Sequence, residues 1–373
     1  AEDGIRECLL SRGLVDVYKR QSINSMKILY IHGLSSSGNS GTAEHLRRLL
    51  PNDTIFSPDL PIEPMVALEM LKRLVKEEKI NLVIGTSMGG MFAQKLQGTY
   101  KILVNPSLHV SRSMRCKLGI NRFFSERQDG ISEYEITPEL CDRYEELEQT
   151  QCMAYSGEER DNTIALFGIG DDTVNCREEY CEHYTKYFSF PGGHRLTEDV
   201  IRKYVLPIIE QQRIILNEVA AIQSRIATSP LSCEIISDKD VIERIYYSKF
   251  RDLEKMVCSD PLKLCYLRML CNNYTAIYAR VEDGNHETLL HKLETELIKN
   301  SDRCRYLLVS TQHATNFEQI GYEKFLQTYS NFLFGIVGCS NTEKIEHIIS
   351  YDNAFPENTI ETFIIIGIGK HQS

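Results

Sequence analysis

Asn81-Leu82-Val83-Ile84-Gly85-Thr86-Ser87-Met88-Gly89-Gly90 decides the fold. An apolar run ends in Gly-x-Ser-x-Gly, and helix-like spacing follows at once in Met91, Phe92, Ala93 and Leu96. That is the pattern of a nucleophile elbow, a sharp strand-to-helix turn that lifts a serine hydroxyl above the edge of a sheet. Strand and helix backbones run close together there, so the flanking positions must be small, and Gly85, Gly89 and Gly90 meet the demand. The start of the helix offers backbone N–H groups where an oxyanion forms. An ordinary glycine-rich turn has the same spelling, so the partner residues decide.

Working outward, short apolar runs at 27–31, 54–56, 101–104, 164–167 and 186–190 read as further strands. Helical spacing at 43–50 (Ala43, Leu46, Leu49, Leu50) and 66–78 (Leu68, Leu71, Leu74, Val75) separates the first of them. Strands alternating with helices predict an α/β class with a mostly parallel sheet covered on both faces. Ligands then bind outside the carboxyl ends of the strands.

Two of those ends carry partners for Ser87. Gly168-Ile169-Gly170-Asp171-Asp172-Thr173-Val174 follows one strand, and Pro191-Gly192-Gly193-His194 follows the last. The order Ser…Asp…His is that of α/β-hydrolases. A serine hydroxyl is a weak nucleophile, so His194 within hydrogen-bond reach takes its proton and later passes it to a leaving alcohol. An acid fixes the imidazole tautomer and stabilises the imidazolium. The spacing Gly-x-x-Asp-x-x-Val fits Gly168, Asp171 and Val174 and favours Asp171, with Asp172 the alternative. The expected oxyanion donors are the N–H of Met88, directly after the nucleophile, and that of Leu34, in the loop after the first strand. His32 is read as a holder of that loop rather than a proton carrier.

From about 26 to 209 the chain resembles the YqiA/YcfP-type esterase family of the α/β-hydrolases. The resemblance is carried by Ile28-Leu29-Tyr30-Ile31-His32-Gly33-Leu34-Ser35-Ser36, Gly85-Thr86-Ser87-Met88-Gly89-Gly90, Leu103-Val104-Asn105-Pro106, Gly170-Asp171 and Gly192-Gly193-His194, with a lid-like insertion at 134–147. It implies a compact intracellular esterase with a Ser–His–Asp triad, active on short-chain acyl esters without a cofactor. It covers about half of the chain and leaves the physiological substrate open. The charged insertion between 104 and 164 forms a cap in such folds. Phe123, Phe124 and Tyr134 are candidates to line an acyl pocket there, against the plainer reading of a solvated helical cover. Arg112 and Arg115 are candidates for an acidic substrate group, with a surface role favoured.

Composition bounds the remainder. Residues 1–25 read as a non-native leader: Asp16-Val17-Tyr18-Lys19-Arg20-Gln21 is similar to the translation of a transposon end used in sequencing libraries. Acids outnumber bases 52 to 42, giving a net charge of −10, which argues against a nucleic-acid footprint. No secretory signal and no apolar stretch long enough for a membrane span is present. The 12 cysteines form no CxxC pair, so no zinc ribbon is expected and they read as reduced, cytoplasmic thiols. Hence a hydrolase domain is expected over 26–212 and a second, smaller, mainly helical α+β domain over 216–373. In the second, helices are expected at 217–228, 238–258, 261–282, 286–299 and 316–337, and strands at 305–310, 345–351 and 359–368. His286, His291 and His313 lack metal-ligand spacing with an acid. Phe363-Ile364-Ile365-Ile366 must pair within its domain or in a homodimer, because exposed it would aggregate. Two functions compete: a serine esterase acting on a small-molecule ester, without cofactor or metal, and a non-catalytic interaction protein on a hydrolase scaffold.

Overall fold

The computed structural model describes residues 25–152, 157–228, 231–250, 271, 273–281, 291–295, 297, 304–314, 344–352 and 359–368. The first 24 residues of the expected leader lie outside these, as does the expected helix at 316–337.

Six strands form the first sheet: β1 (Lys27–Ile31), β2 (Thr54–Phe56), β3 (Leu82–Thr86), β4 (Tyr100–Val104), β7 (Thr163–Gly168) and β8 (Tyr187–Phe190). Their spatial order is β2-β1-β3-β4-β7-β8, and every pairing is parallel. The chain steps from β1 outward to β2 and then returns to lay β3 on the other side of β1. The carboxyl ends of β1 and β3 therefore flank the topological switch point, where ligands bind in open α/β sheets. One face packs Leu29, Ile31, Val83, Leu103 and Phe167 beneath the helices Pro64–Glu78 and Met88–Gln94. The other packs Ile28, Tyr30, Ile84, Ile102 and Phe190 beneath the helix Gly41–Leu49 and the segment Ile201–Val205. The class is α/β, as the alternation of strands and helices predicts.

The insertion between β4 and β7 carries a helix (Val110–Arg115), an antiparallel hairpin of β5 (Gly119–Arg122) and β6 (Glu133–Ile136), and a helix Pro138–Gln149. The hairpin is tied to the loop after β1: Phe124 N donates to Ser35 O at 2.8 Å, and the Ser35 and Tyr134 hydroxyls bond at 2.6 Å.

The second sheet holds β9 (Leu231–Ile236), β10 (Asn273–Val281), β11 (Cys304–Ala314), β12 (Lys344–Asp352) and β13 (Ile360–Ile368), in the order β12-β11-β13-β10-β9. β13, which contains Phe363–Ile366, lies between β10 and β11 and is antiparallel to both, so its apolar run is paired on both edges within the chain. The helix expected across 261–282 is corrected over 273–281, which are strand, and β9 was not foreseen. Helix is seen at Lys239–Ile245 and at 291–295.

One helix, Leu206–Thr228, serves both sheets. Ile209 is buried against the first, while Val219, Ile222 and Ile226 are buried against the second. Arg213 on this helix clamps Asp53 in a two-pronged ion pair of 2.7 and 2.6 Å, with side-chain exposures of 6% and 1%. Asp53 Oδ1 also accepts from Met26 N at 2.8 Å. Removing one partner of a buried pair strands the other charge and costs about 3–5 kcal/mol. A fragment spanning 26–212 lacks Arg213, whereas one spanning 26–216 keeps it. The longer fragment is expected to melt about 6–20 °C higher in calorimetry. Equal melting temperatures would show that Asp53 does not depend on this helix.

Candidate active site

Ser87 has φ 53° and ψ −119°, a strained conformation for a residue with a β-carbon. Its surroundings impose it. Ser87 N donates to Val104 O at 3.1 Å, and Ser87 O accepts from Gly90 N at 2.9 Å and Ser107 N at 3.0 Å. A β-carbon on residue 85 would lie 2.4 Å from Gly89 O, and one on residue 89 would lie 2.0 Å from Ile31 O. No side chain fits either gap, so the glycines are required by close approach.

The acid and the histidine meet. His194 Nδ1 and Asp171 Oδ2 are 2.8 Å apart, with Asp171 3% exposed and His194 23% exposed. The other Asp171 oxygen accepts from Thr173 N at 2.9 Å and Val174 N at 3.1 Å, so the carboxylate is oriented by three bonds. Asp172 is exposed, and its carboxylate accepts from Thr173 Oγ1 at 3.3 Å. Ser87 and His194 line one cavity of about 690 Å³. Among the described residues no direct hydrogen bond joins Ser87 Oγ to His194, so that leg of the trio is open.

Asn105 brackets the site, a role the sequence reading did not give it. It directly follows β4 with φ 45°, a left-handed conformation that asparagine tolerates better than most residues. Its side-chain amide donates to Gly193 O and His194 O, both at 3.0 Å, and its Oδ1 accepts from Gly168 N at 2.7 Å. One buried side chain thus ties the end of β4 to the acid-bearing strand and to the histidine loop. A polar residue directly after a buried apolar strand was the available signal.

The loop after β1 lies beside the elbow: a β-carbon on Gly33 would come 3.3 Å from Ser87 Cβ. Leu34 and Met88 border both the large cavity and a small one of about 20 Å³, walled by Leu60, Ile62, Met114, Phe123, Tyr134 and Tyr144. Phe123 and Tyr134 therefore sit together, rings 4.7 Å apart, while Phe124 lines the large cavity and is 79% exposed. Arg115 is engaged by Asp142 and Glu145, each at 2.6 Å, and with Arg112 lines a separate cleft. The basic side chains bordering the Ser87 cavity are instead His45, Lys117 and Arg195.

His32 is a loop holder. Its Nδ1–H donates to Gly33 O at 2.9 Å, and its Nε2 accepts from Leu60 N at 3.3 Å, so both bonds require the neutral ring. Burial lowers its pKa from 6.5 to about 4. Among the described residues no cluster of three or more His, Cys, Asp or Glu side chains is arranged to hold a metal ion, and no helix is long and apolar enough to cross a membrane. His291 is exposed, 3.6 Å from Glu294; His286 and the side chain of His313 lie outside the described residues.

Residues 27–190 match the model of the family described as Uncharacterised protein family (UPF0227). The matched segment is somewhat under half of the chain and contains Ser87 and Asp171, with His194 four residues beyond it. The resemblance drawn from the sequence falls on the same segment. Among solved structures, TT1662 from Thermus thermophilus is similar at 17% identity over 52% of this chain and 90% of its own, with a TM-score of 0.36. Est1E from Butyrivibrio proteoclasticus follows at 12% identity, 52% and 90% coverage and a TM-score of 0.36. The methylesterase protein MES16 from Arabidopsis follows at 13% identity, 50% and 99% coverage and a TM-score of 0.36. No curated protein sequence matches the chain. The α/β-hydrolase fold is read from the strand order and the elbow themselves.

The lowered pKa of His32 predicts an acid sensitivity. The unfolded chain binds a proton at this residue below about pH 6.5, while the folded one resists until about pH 4. Its contribution is complete above pH 6.5 and is lost as pH falls from there toward 4. The drop in melting temperature between pH 7 and pH 4.5 is expected to be smaller in His32→Gln than in the natural chain. An equal drop would remove His32 from the acid response.

Proposed function

We propose that this chain is a serine hydrolase of short-chain carboxylic esters that works through an acyl-enzyme. The observation that carries the reading is the oriented Asp171–His194 pair, whose histidine borders the same cavity as a serine held at φ 53° on its elbow. Ser87 Oγ attacks the ester carbonyl carbon and its proton passes to His194 Nε2, the ring nitrogen not engaged by Asp171. The N–H groups of Leu34 and Met88 receive the oxyanion. The tetrahedral species collapses, the C–O bond to the alcohol breaks, and the alcohol leaves with the proton from His194. Water then attacks the acyl-enzyme with His194 as base, releasing the acid and restoring Ser87. Catalytic hydrogen bonds are often long in unliganded enzymes and tighten in the complex, which accommodates the open Ser87–His194 leg.

The small cavity beside Leu34 and Met88 suits the acyl group. At about 20 Å³ it holds one group the size of a water or a methyl. Its aromatic walls support acetyl over longer chains. A non-catalytic scaffold is the second reading, and the open Ser87–His194 leg is the observation that favours it.

An organophosphonate is expected to label Ser87, seen by mass spectrometry of the peptide. Ser87→Ala should abolish both labelling and ester turnover; undiminished turnover would favour the scaffold. Across p-nitrophenyl esters, kcat/KM is expected to fall about tenfold from acetate to octanoate, the cost of overfilling a packed wall. Asn105→Asp keeps the left-handed backbone but loses both donors to the histidine loop. It should lower kcat by about a hundredfold with KM little moved, as misplacement of a reacting group does, and should also lower the melting temperature, because a buried carboxyl then faces two carbonyl oxygens. An unchanged kcat in the protein that remains folded would make Asn105 merely structural.

A further inference from the structure

We propose that the ester cleaved at Ser87 carries an anionic group, a carboxylate or a phosphate, on its alcohol portion, and that Lys117 and Arg195 receive it. The inference rests on the esterase reading above. Leu34 and Met88 separate two cavities of very different size, about 20 Å³ and about 690 Å³. With the carbonyl at Ser87 and the acyl group in the small cavity, the alcohol portion occupies the large one.

The lining of the large cavity departs from the overall charge of the chain. Acids outnumber bases 52 to 42 along the chain, yet no Asp or Glu lines this cavity, while His45, Lys117 and Arg195 do. A protein of net charge −10 repels anions in general, so a carboxylate-free basic cavity at the nucleophile is a local reversal of sign. Two of the neighbouring acids are already engaged. Asp171 holds His194, and Glu198 holds Arg48 and Arg202 and stands 4.0 Å from His45. The side chains of Lys117 and Arg195 have no ion-pair or hydrogen-bond partner among the described residues, and both are exposed to an incoming ligand. They come from different segments, one after the helix Val110–Arg115 and the other directly after His194. In the same lining, Nδ1 of His45 is buried and unpartnered among the described residues. Val110, Val174 and Phe124 supply apolar surface for the carbon body of the alcohol. Arg gives a planar fork suited to carboxylate or phosphate, and Lys adds a point charge.

The test uses the full chain at low salt and three acetyl esters of matched shape: 4-acetoxybenzoate, 4-acetoxyphenyl phosphate and neutral 4-acetoxybenzamide. Each kcat/KM is divided by that ester's rate with hydroxide, which removes leaving-group differences. The anionic esters are expected to be preferred by about fivefold or more, consistent with two exposed charge pairs. The preference should shrink as salt is raised, and the order of the two anions tells carboxylate from phosphate. Lys117→Gln, remote in sequence from the triad, should reduce the preference by itself, and Lys117→Gln with Arg195→Gln should bring it near one. A preference at or below one, or one that survives the double variant, overturns the proposal while leaving ester hydrolysis intact. Calorimetry on Ser87→Ala with 4-acetoxybenzoate and 4-acetoxybenzamide separates the two readings without turnover. Tighter binding of the anion, lost with Lys117→Gln, upholds the ligand class even if no ester is cleaved. Equal binding of the two rejects it.

Discussion

The carbonyl oxygen of Ile31 stands 2.0 Å from where a β-carbon on residue 89 would be, and most of the site follows from that contact. It presses the helix after Ser87 against the end of β1, so the loop leaving β1 emerges beside the turn that holds Ser87. Gly33 then lies against Ser87, and Leu34 and Met88 share the rim of two cavities. A larger residue at 89 would force β1 and the helix apart and separate Leu34 from Met88, the two proposed oxyanion donors. The strain at Ser87 persists because backbone bonds to Val104, Gly90 and Ser107 over-determine it.

The far side of the site is held by polar bonds instead. The histidine loop has few apolar anchors: Pro191, Gly192 and Gly193 are all exposed. It is fixed by Gly170 N to Gly192 O at 2.8 Å and by the two bonds from Asn105. A loop held this way can be placed to fractions of an ångström while staying free of bulky side chains that would block the cavity. His32 does the same work on the other side, and burial keeps it neutral so that its two bonds hold the first loop and the segment at Leu60 together.

The first sheet was legible because its strands are buried on both faces and read as short continuous apolar runs between turn residues. The elbow was legible because close approach leaves glycine no substitute. The spacing from Gly168 to Val174 favours Asp171 without excluding the adjacent Asp172, and in the structure the bond to His194 is made by Asp171. The hairpin of β5 and β6 was missed because four-residue strands give too little alternation to register. β10 was read as helix for a physical reason. Tyr274, Ile277, Tyr278 and Val281 stand at helical spacing, but a strand buried on both faces also presents apolar residues at every separation. The basic lining of the cavity was not legible at all, since Lys117 and Arg195 are far apart in sequence and meet at one cavity through the fold.

The join between the two sheets differs from an ordinary linker. Domain boundaries usually fall in exposed, polar or glycine-rich segments where few contacts cross. Here the crossing is made by a continuous helix of 23 residues, Leu206–Thr228, apolar toward the first sheet in its early turns and toward the second in its later ones. Arg244 Nη2 donates to Gln212 Oε1 at 2.8 Å, adding a polar tie across it. Bending such a helix breaks backbone bonds that a flexible linker never makes, and separating either half from its sheet exposes buried isoleucines. The second sheet contributes no strand to the first, yet it is anchored to it through the same helix whose Arg213 neutralises Asp53 behind β1. Changes in the packing of Val219, Ile222 or Ile226 therefore have a mechanical route, along that helix, to the edge of the hydrolase sheet.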